Sequence, residues 1–297
     1  MILIPSNGKQ IRGDLIKQAV IRSDLTAIPA TLHAIIRVDD ELRKLLAEGQ
    51  TITAGNDKFY IVQAISPTAR QSQGKHETSF IEIIAYLEPV HKTSFIQKTA
   101  ILKEKTTLQA IYRATGATLK AIENDLPVKR FYCYAGHYPT VDIAKTLQEE
   151  GSVVRWKNGK MQLFRLQDLM KQTPIMSLPN NSMKDFDSGF LERHEIPSFY
   201  SIDENGAFIY GNKNKIRSAM YVPNKDERQL QNMGRVLVKR KETNKIAFDL
   251  RICGGDIIDV QGVGQYAVLT AAHVFEGGLD STGSEQYSKL WLGDVAS

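Results

Sequence analysis

One segment of this chain occurs twice. Gly49-Gln-Thr-Ile-Thr53 followed by Lys58-Phe-Tyr-Ile-Val-Gln-Ala-Ile65 lays without gaps on Gly255-Asp-Ile-Ile-Asp259 followed by Gly264-Gln-Tyr-Ala-Val-Leu-Thr-Ala271, 206 residues later (Gly49 to Gly255). Gly49 meets Gly255, Ile52 meets Ile258, Tyr60 meets Tyr266 and Val62 meets Val268, and an alternating apolar stretch precedes each block, Leu32 to Val38 or Ile246 to Ile252. A repeat dictates architecture before any other signal does, because each copy must bury the same face. Four identities alone leave coincidence open, since every half-buried strand has period-2 patterning.

The surrounding sequence is strand-rich. Leu15 to Arg22, Ala30 to Val38, Thr51 to Thr53, Phe59 to Ile65 and Ser79 to Leu87 are short and bounded by turn residues. Leu32, Ala34, Ile36 and Val38 alternate with His33, Ile35 and Arg37, which predicts a strand with one buried face. One helix interrupts them: Asp39 is its N-cap, Asp40 and Glu41 place negative charge in the first turn, Leu42, Leu45 and Leu46 form its apolar face, and Gly49 is its stop. The last part returns to strands at Ser198 to Ile202, Ala207 to Tyr210, Val236 to Arg240, Ile246 to Ile252, Asp256 to Val260 and Tyr266 to Phe275. A short helix is expected at Asn224 to Asn232, and a loop from Gly277 to Gly283 leads into Tyr287 to Leu292.

Between them the pattern changes. Thr106 or Thr107 caps a helix with Leu108, Ile111 and Tyr112 inward and Gly116 as stop; Thr140 starts another that Gly151 closes. Asn158-Gly159 then sits between alternating runs, the signature of a type I′ hairpin. Met176 to Ser188, rich in Pro, Asn, Ser and Asp, reads as a linker. The expected class is therefore mainly β with an α+β insert: two similar antiparallel β-barrel domains, 1–94 and 186–297, flank a small α/β region at 95–185.

Chemistry is sparse. Gly262-Val-Gly264-Gln-Tyr-Ala267 fits a dinucleotide-binding string, but a strand follows where a helix is needed, so it reads as a turn. Glu192, His194 and Glu195 lack a second histidine at metal-ligand spacing. Cys133 and His137 suggest a nucleophile pair, yet Tyr132, Tyr134 and Tyr138 around them suggest packing. Cys133 and Cys253, 120 residues apart, form no CxxC motif or disulfide framework and fit a reducing compartment. The net charge of +5 is scattered; its densest run, Lys239-Arg240-Lys241, reads as a solvated face, and Lys129-Arg130-Phe131-Tyr132 is the one basic–aromatic cluster suited to stacking on single-stranded nucleic acid. Three apolar residues after Met1 precede Pro5, too few for a signal-peptide core or an anchor. No enzyme activity is expected, and no catalytic, cofactor-binding or metal-binding residue is assigned.

The segment Gly255-Asp256-Ile257-Ile258-Asp259-Val260-Gln261-Gly262-Val263-Gly264-Gln265-Tyr266-Ala267-Val268 through His273-Val274-Phe275 resembles the closing barrel of baseplate hub proteins from contractile-tailed phages, and Leu15 to Leu87 resembles the hub's first barrel. The same pair occurs in the N-terminal part of type VI secretion spike proteins, and the likeness spans both ends of the chain but not 95–185. It implies a homotrimer in the virion's tail baseplate, assembled in the host cytoplasm, that joins the sixfold tail tube to a threefold spike and leaves a channel for DNA. Its partners would be other copies of itself, a separate central spike protein, the tail tube protein and the tape measure protein, with no membrane anchoring. Two competing readings remain: a barrel-type nucleic-acid-binding protein using Lys239-Arg240-Lys241, and a tail-associated cell-wall hydrolase with the α/β insert as its catalytic domain and an activity that depends on Glu192 or His194.

Overall fold

The computed structural model describes residues 1–66, 79–185, 197–212, 218–277 and 283–296 of the 297-residue chain. The first part carries β1 (Leu3–Pro5), β2 (Ile16–Asp24), β3 (Ala30–Arg37), helix α1 (Asp40–Leu45), β4 (Thr51–Ala54), β5 (Asp57–Ile65) and β6 (Phe80–Leu87). The middle carries β7 (Ile101–Thr107), α2 (Leu108–Ala114), β8 (Ile122–Glu123), β9 (Pro127–Cys133), α3 (Pro139–Glu149), β10 (Ser152–Lys157), β11 (Lys160–Arg165) and α4 (Leu166–Leu169). There follow β12 (Met176–Leu178), β13 (Met183–Asp185), β14 (Ser198–Ile202), β15 (Phe208–Tyr210), β16 (Ala219–Tyr221) and α5 (Glu227–Met233). The chain closes with β17 (Val236–Thr243), β18 (Ile246–Ala247), β19 (Ile257–Val260), β20 (Gly264–Glu276) and β21 (Glu285–Ala296).

A 13-stranded sheet dominates, in the order β1-β4-β5-β6-β3-β2-β20-β21-β17-β13, with β12, β18 and β19 paired off this path. β2 pairs antiparallel with β20 from Gln18 opposite Glu276 to Asp24 opposite Thr270. The two ends of the chain therefore share one sheet. Its apolar face is the alternation expected of β3: Leu32, Ala34 and Ile36 are fully buried, against Ile83, Ala85 and Leu87 of β6 and Phe59 and Ile61 of β5. Each Leu, Ile or Phe side chain among them contributes about 1.5–3 kcal/mol by leaving water.

The sequence repeat is a structural one. The order β4-β5-β6-β3-β2 is matched by β19-β20-β21-β17-β13. Gly49, at φ +87°, donates its N–H to Ile61 O at 2.9 Å, and Ile61 returns its N–H to Gln50 O at 2.9 Å. Gly255, at φ +82°, donates to Val268 O at 2.7 Å, and Val268 returns its N–H to Asp256 O at 2.8 Å. A register shift follows at the same place, between Ile61 and Gln63 against β6 and between Val268 and Thr270 against β21. Only glycine enters these left-handed positions without steric cost.

The gapless alignment is corrected by one residue. Gly55-Asn56 joins β4 to β5, whereas Gln261-Gly262-Val263 joins β19 to β20. The extra turn residue leaves the first strand of each hairpin displaced by 206 (Gly49 to Gly255) and the second by 207 (Ile61 to Val268). Tyr60 thus corresponds to Ala267 rather than to Tyr266, and Tyr266, opposite Ile258, takes the place of Phe59, opposite Ile52.

Other expectations shift for local reasons. The strand expected at Ile246 to Ile252 stops at Ala247, because the Asp249 carboxylate takes the Arg251 N–H at 2.9 Å and folds the chain into a turn. Asp39 caps α1 by accepting the Leu42 N–H at 2.8 Å, but the helix ends at Leu45, and Gly49 opens the next hairpin instead of closing the helix. Thr107 caps α2, accepting from the Ala110 N–H. Pro139, not Thr140, is the first residue of α3. The helix expected at Asn224 to Asn232 begins at Glu227, where Asp226 and Gln229 form a capping box. Asn158 and Gly159, at φ +53° and +73°, make the expected primed turn between β10 and β11. The expected linker is not one throughout: β12 pairs parallel with β19 and β13 antiparallel with β17. Its polar residues misled because edge strands tolerate them. The expected Gly277–Gly283 loop lies mostly outside the described residues.

Candidate assembly surfaces

The β10–β11 hairpin is where the middle part is fastened to both repeats. Arg155 and Lys157 on β10 reach Asp256, which precedes β19: Arg155 Nη1 lies 2.9 Å and Lys157 Nζ 2.5 Å from Asp256 Oδ1, while Oδ2 accepts the Cys253 N–H at 2.9 Å. The Asp256 and Arg155 side chains are only 3% and 8% exposed. Arg155 also donates to Gln162 Oε1 at 2.7 Å and lies over the Phe164 ring, 4.5 Å from its centroid. Between these two cations, Trp156 Nε1 donates to Asp57 Oδ1 at 2.7 Å, at the start of β5. Burial raises the Asp57 carboxyl above its usual range, and the indole bond partly offsets this.

A cavity of about 490 Å³ opens beside this fastening, lined among others by Arg22, Asn56, Trp156, Lys157, Arg251 and His273. His273 is buried; its Nε2 lies 2.9 Å from Ile252 O, which can only accept, so that nitrogen carries the proton and Nδ1 accepts from Ser288 Oγ at 2.8 Å. Burial holds its pKa below the ordinary imidazole value, so the ring is neutral and structural. Cys253, also on the wall, is pushed up to about 11 by burial and then by the Asp256 charge. The cavity thus presents polar and cationic groups without an activated nucleophile.

The residues weighed from sequence fare as follows. Cys133 is fully buried, and burial together with the Asp142 carboxylate pushes its thiol up to about 11. His137 turns instead toward Asp142, 3.7 Å away, so no Cys–His nucleophile pair is poised. Lys239, Arg240 and Lys241 lie on β17, each facing a carboxylate: Lys239 with Glu242 at 2.8 Å, Arg240 with Asp294 at 2.9 Å, and buried Lys241 with Asp185. Glu242 is held down to about 2 by Lys239 and Lys289. That run is committed to the sheet and is not a phosphate track. In the other cluster Phe131 faces the core, while Arg130 pairs with Glu104 at 3.3 Å and lies 5.8 Å from the centroid of Tyr132, which leaves a single ring of this cluster at the surface. Gly262 and Gly264 sit at the β19–β20 turn as expected. Glu192, His194 and Glu195 lie outside the described residues. Among the described residues no cluster of metal-ligating groups occurs, and no helix is long and apolar enough to cross a membrane.

Sequence reasoning missed one surface. In the small sheet β15-β14-β16, Phe199 and Ser201 are buried on the side of α5, where Leu230 and Met233 pack. The opposite face gathers Tyr200, Phe208, Tyr210 and Tyr221, with Tyr200 5.5–6.0 Å from the other three rings. Phe208 and Tyr221 are 60% and 48% exposed, an unusual concentration of aromatic surface. The signal was present as Phe208 and Tyr210 alternating around Ile209 in β15, with a single aromatic on the same face of β14 and of β16.

No family model and no curated protein matches the sequence. Solved structures do match, and they define a class: the chain has the fold of phage tail proteins. The tail protein from Neisseria meningitidis MC58 aligns over 99% of this chain and 95% of its own, with a TM-score of 0.62 at 11% identity. The 43 kDa tail protein of prophage MuSo2 from Shewanella oneidensis aligns over 98% and 95%, with a TM-score of 0.59 at 12% identity. The c3393 protein of E. coli, a type VI secretion component described as structurally similar to the T4 tail proteins gp27 and gp5, aligns over 95% and 74%, with a TM-score of 0.55 at 10% identity. At these identities the shared property is the fold.

Proposed function

We propose that this chain is a non-enzymatic structural subunit of a phage-type tail, the hub at which a sixfold tube meets a threefold spike. The observation that carries the reading is the internal repeat: the same strand order, the same glycine-anchored hydrogen-bond pair and the same register shift occur twice in one chain. Three copies around a closed axis present six similar units, because cyclic symmetry repeats each patch once per subunit. In this reading 1–94 and 186–297 form the two barrels of a ring, the second completed by β12 and β13, the rest of 95–185 stands outside it, and the ring encloses a channel through which DNA passes. The partners are two further copies, a separate spike protein and the tail tube protein, in the baseplate of the virion. The tail proteins that share the fold over 95% of their own chains support the tail assignment.

Negative-stain imaging with light scattering of the full chain tests it. A threefold ring with a central hole is expected. A protein that stays monomeric at all concentrations, alone and with its tube and spike partners, overturns the reading.

A further inference from the structure

The small sheet β15-β14-β16 has one face packed on α5, and rings dominate the other. Tyr200 pairs with Tyr210 across β14–β15 and with Tyr221 across β14–β16, so register alone sets three tyrosines in one row across the strands. Their centroids are 5.9 and 5.5 Å apart, and Phe208 stands beside the row, 6.0 Å from Tyr200 and 6.3 Å from Tyr210. The rings are tilted against one another by 31–52°, so they form a shallow surface and not a stack.

A pocket borders this row. Its volume is about 620 Å³, and Phe208, Ile209, Tyr210, Gly211, Asn212 and Glu227 line it, so an amide and a carboxylate meet two of the rings. Both polar side chains are exposed, and Glu227 forms no ion pair among the described residues, its Oε1 accepting from Gln231 Nε2 at 3.1 Å. One wall is fixed by close approach: a Cβ on Gly211 would meet the Leu230 carbonyl carbon at 2.6 Å and its oxygen at 2.7 Å, so β15 ends directly against the α5 backbone. The strands Ser198–Ile202, Phe208–Tyr210 and Ala219–Tyr221 contain no charged residue. Lys225 and Arg228, at the start of α5, are paired with Glu149 at 2.7 Å and Glu150 at 3.1 Å.

We infer that this face and its pocket bind a neutral oligosaccharide, a site that does not depend on the hub reading. A pyranose has an apolar face of C–H groups and a rim of hydroxyls, and the site offers a match to each. The tilted rings receive the C–H face while the tyrosine hydroxyls stay in reach of water and ligand. The Asn212 amide and the Glu227 carboxylate supply donors and acceptors for the rim, the few placed polar groups that give such a pocket its orientation. The spacing of the tyrosine row is close to the length of one pyranose unit, so a sugar chain can lie across the strands with one unit on each ring. Stacking platforms for single-stranded nucleic acid need a cationic groove for the phosphates, and the three strands provide no cation.

The test titrates chitopentaose, cellohexaose and maltohexaose into the full chain by calorimetry, with saturation-transfer NMR to read which sugar protons touch the protein. At least one is expected to bind, with transfer strongest at the ring C–H protons. Phe208→Ala/Tyr221→Ala should raise its dissociation constant about tenfold or more. Both positions are exposed, so the melting temperature should match that of the parent chain. Asn212→Ala, outside the rings, should weaken binding about threefold or more and keeps the test decisive if the double variant unfolds. Binding of none of the three sugars overturns the proposal, and so does binding that both variants leave unchanged. Oligothymidylate held at this face with steep salt dependence, or an oligomeric state that changes in the double variant, gives the face to nucleic acid or to a second copy of the chain and overturns it as well.

Discussion

Replacing Asp256 by alanine should be the most destabilising single change at the junction. The substitution removes the carboxylate that both Arg155 and Lys157 contact, together with the acceptor of the Cys253 N–H. Removing one partner of a buried pair costs about 3–5 kcal/mol, because the other charge stays buried without compensation. Lys157 keeps 20% of its side-chain surface in water and can relax outward, whereas Arg155 at 8% is fixed by Gln162 and Phe164. The expected loss is therefore about 3 kcal/mol, the lower end of that range. For a chain of this size that corresponds to a fall in melting temperature on the order of 6–12 °C. Urea titration and calorimetry on Asp256→Ala measure it, and Asp256→Ala/Arg155→Met/Lys157→Met supplies the control. If uncompensated charge is the cause, the triple variant recovers at least half of the loss. A loss under about 1 kcal/mol, or an undiminished loss in the triple variant, refutes the reasoning.

Three further outcomes follow from the same geometry. His273 has a lowered pKa in the folded protein, so below pH about 6.5 the unfolded chain binds more protons than the folded one. Its contribution is complete above that pH and declines as pH falls, and the drop in melting temperature from pH 7.5 to 5.5 should flatten in His273→Phe. Gly49→Ala and Gly255→Ala both force alanine to a positive φ, at about 1–2 kcal/mol. A Cβ at 255 also meets Arg155 and Leu25 at 3.2 Å, whereas one at 49 meets only the Tyr60 hydroxyl at 3.6 Å, so Gly255→Ala should melt lower; the reverse order would contradict the packing. Both thiols are pushed up to about 11, so native protein at pH 8 should react with iodoacetamide far more slowly than urea-unfolded protein, and equal rates would contradict their burial.

The elements most legible in the sequence are those whose signal is local. Asp39 and Thr107 cap their helices, Asn158-Gly159 makes its turn, and the alternation of β3 places Leu32, Ala34 and Ile36 in the core. What escaped depends on distant partners. Polarity made residues 176–185 look like linker, yet backbone hydrogen bonding to β19 and β17 is indifferent to side-chain polarity at a sheet edge. Ile246 to Ile252 had the right alternation, but Asp249 offered the backbone a competing acceptor. The Asp256 junction joins residues about a hundred positions apart, and no spacing rule links Arg155 or Lys157 to it.

The one-residue correction strengthens the case for duplication. A gapless match of four identities is what chance patterning between two hairpins can produce. A shared fold with a longer turn predicts something chance does not: every contact after the turn should move together by one. The hydrogen bonds of Ile61 and Val268, the register shifts that follow them, and the pairing of Ile61 with Ala85 and of Val268 with Leu292 all move by that one residue. A slip of one residue normally exchanges the two faces of a strand. Here it does not, because the partner strand moved too. Tyr60 and Tyr266 are then a coincidence of sequence, whereas Gly49 and Gly255 are equivalent in backbone, bond and angle. The likeness of the two halves rests on geometry that the identities alone could not carry.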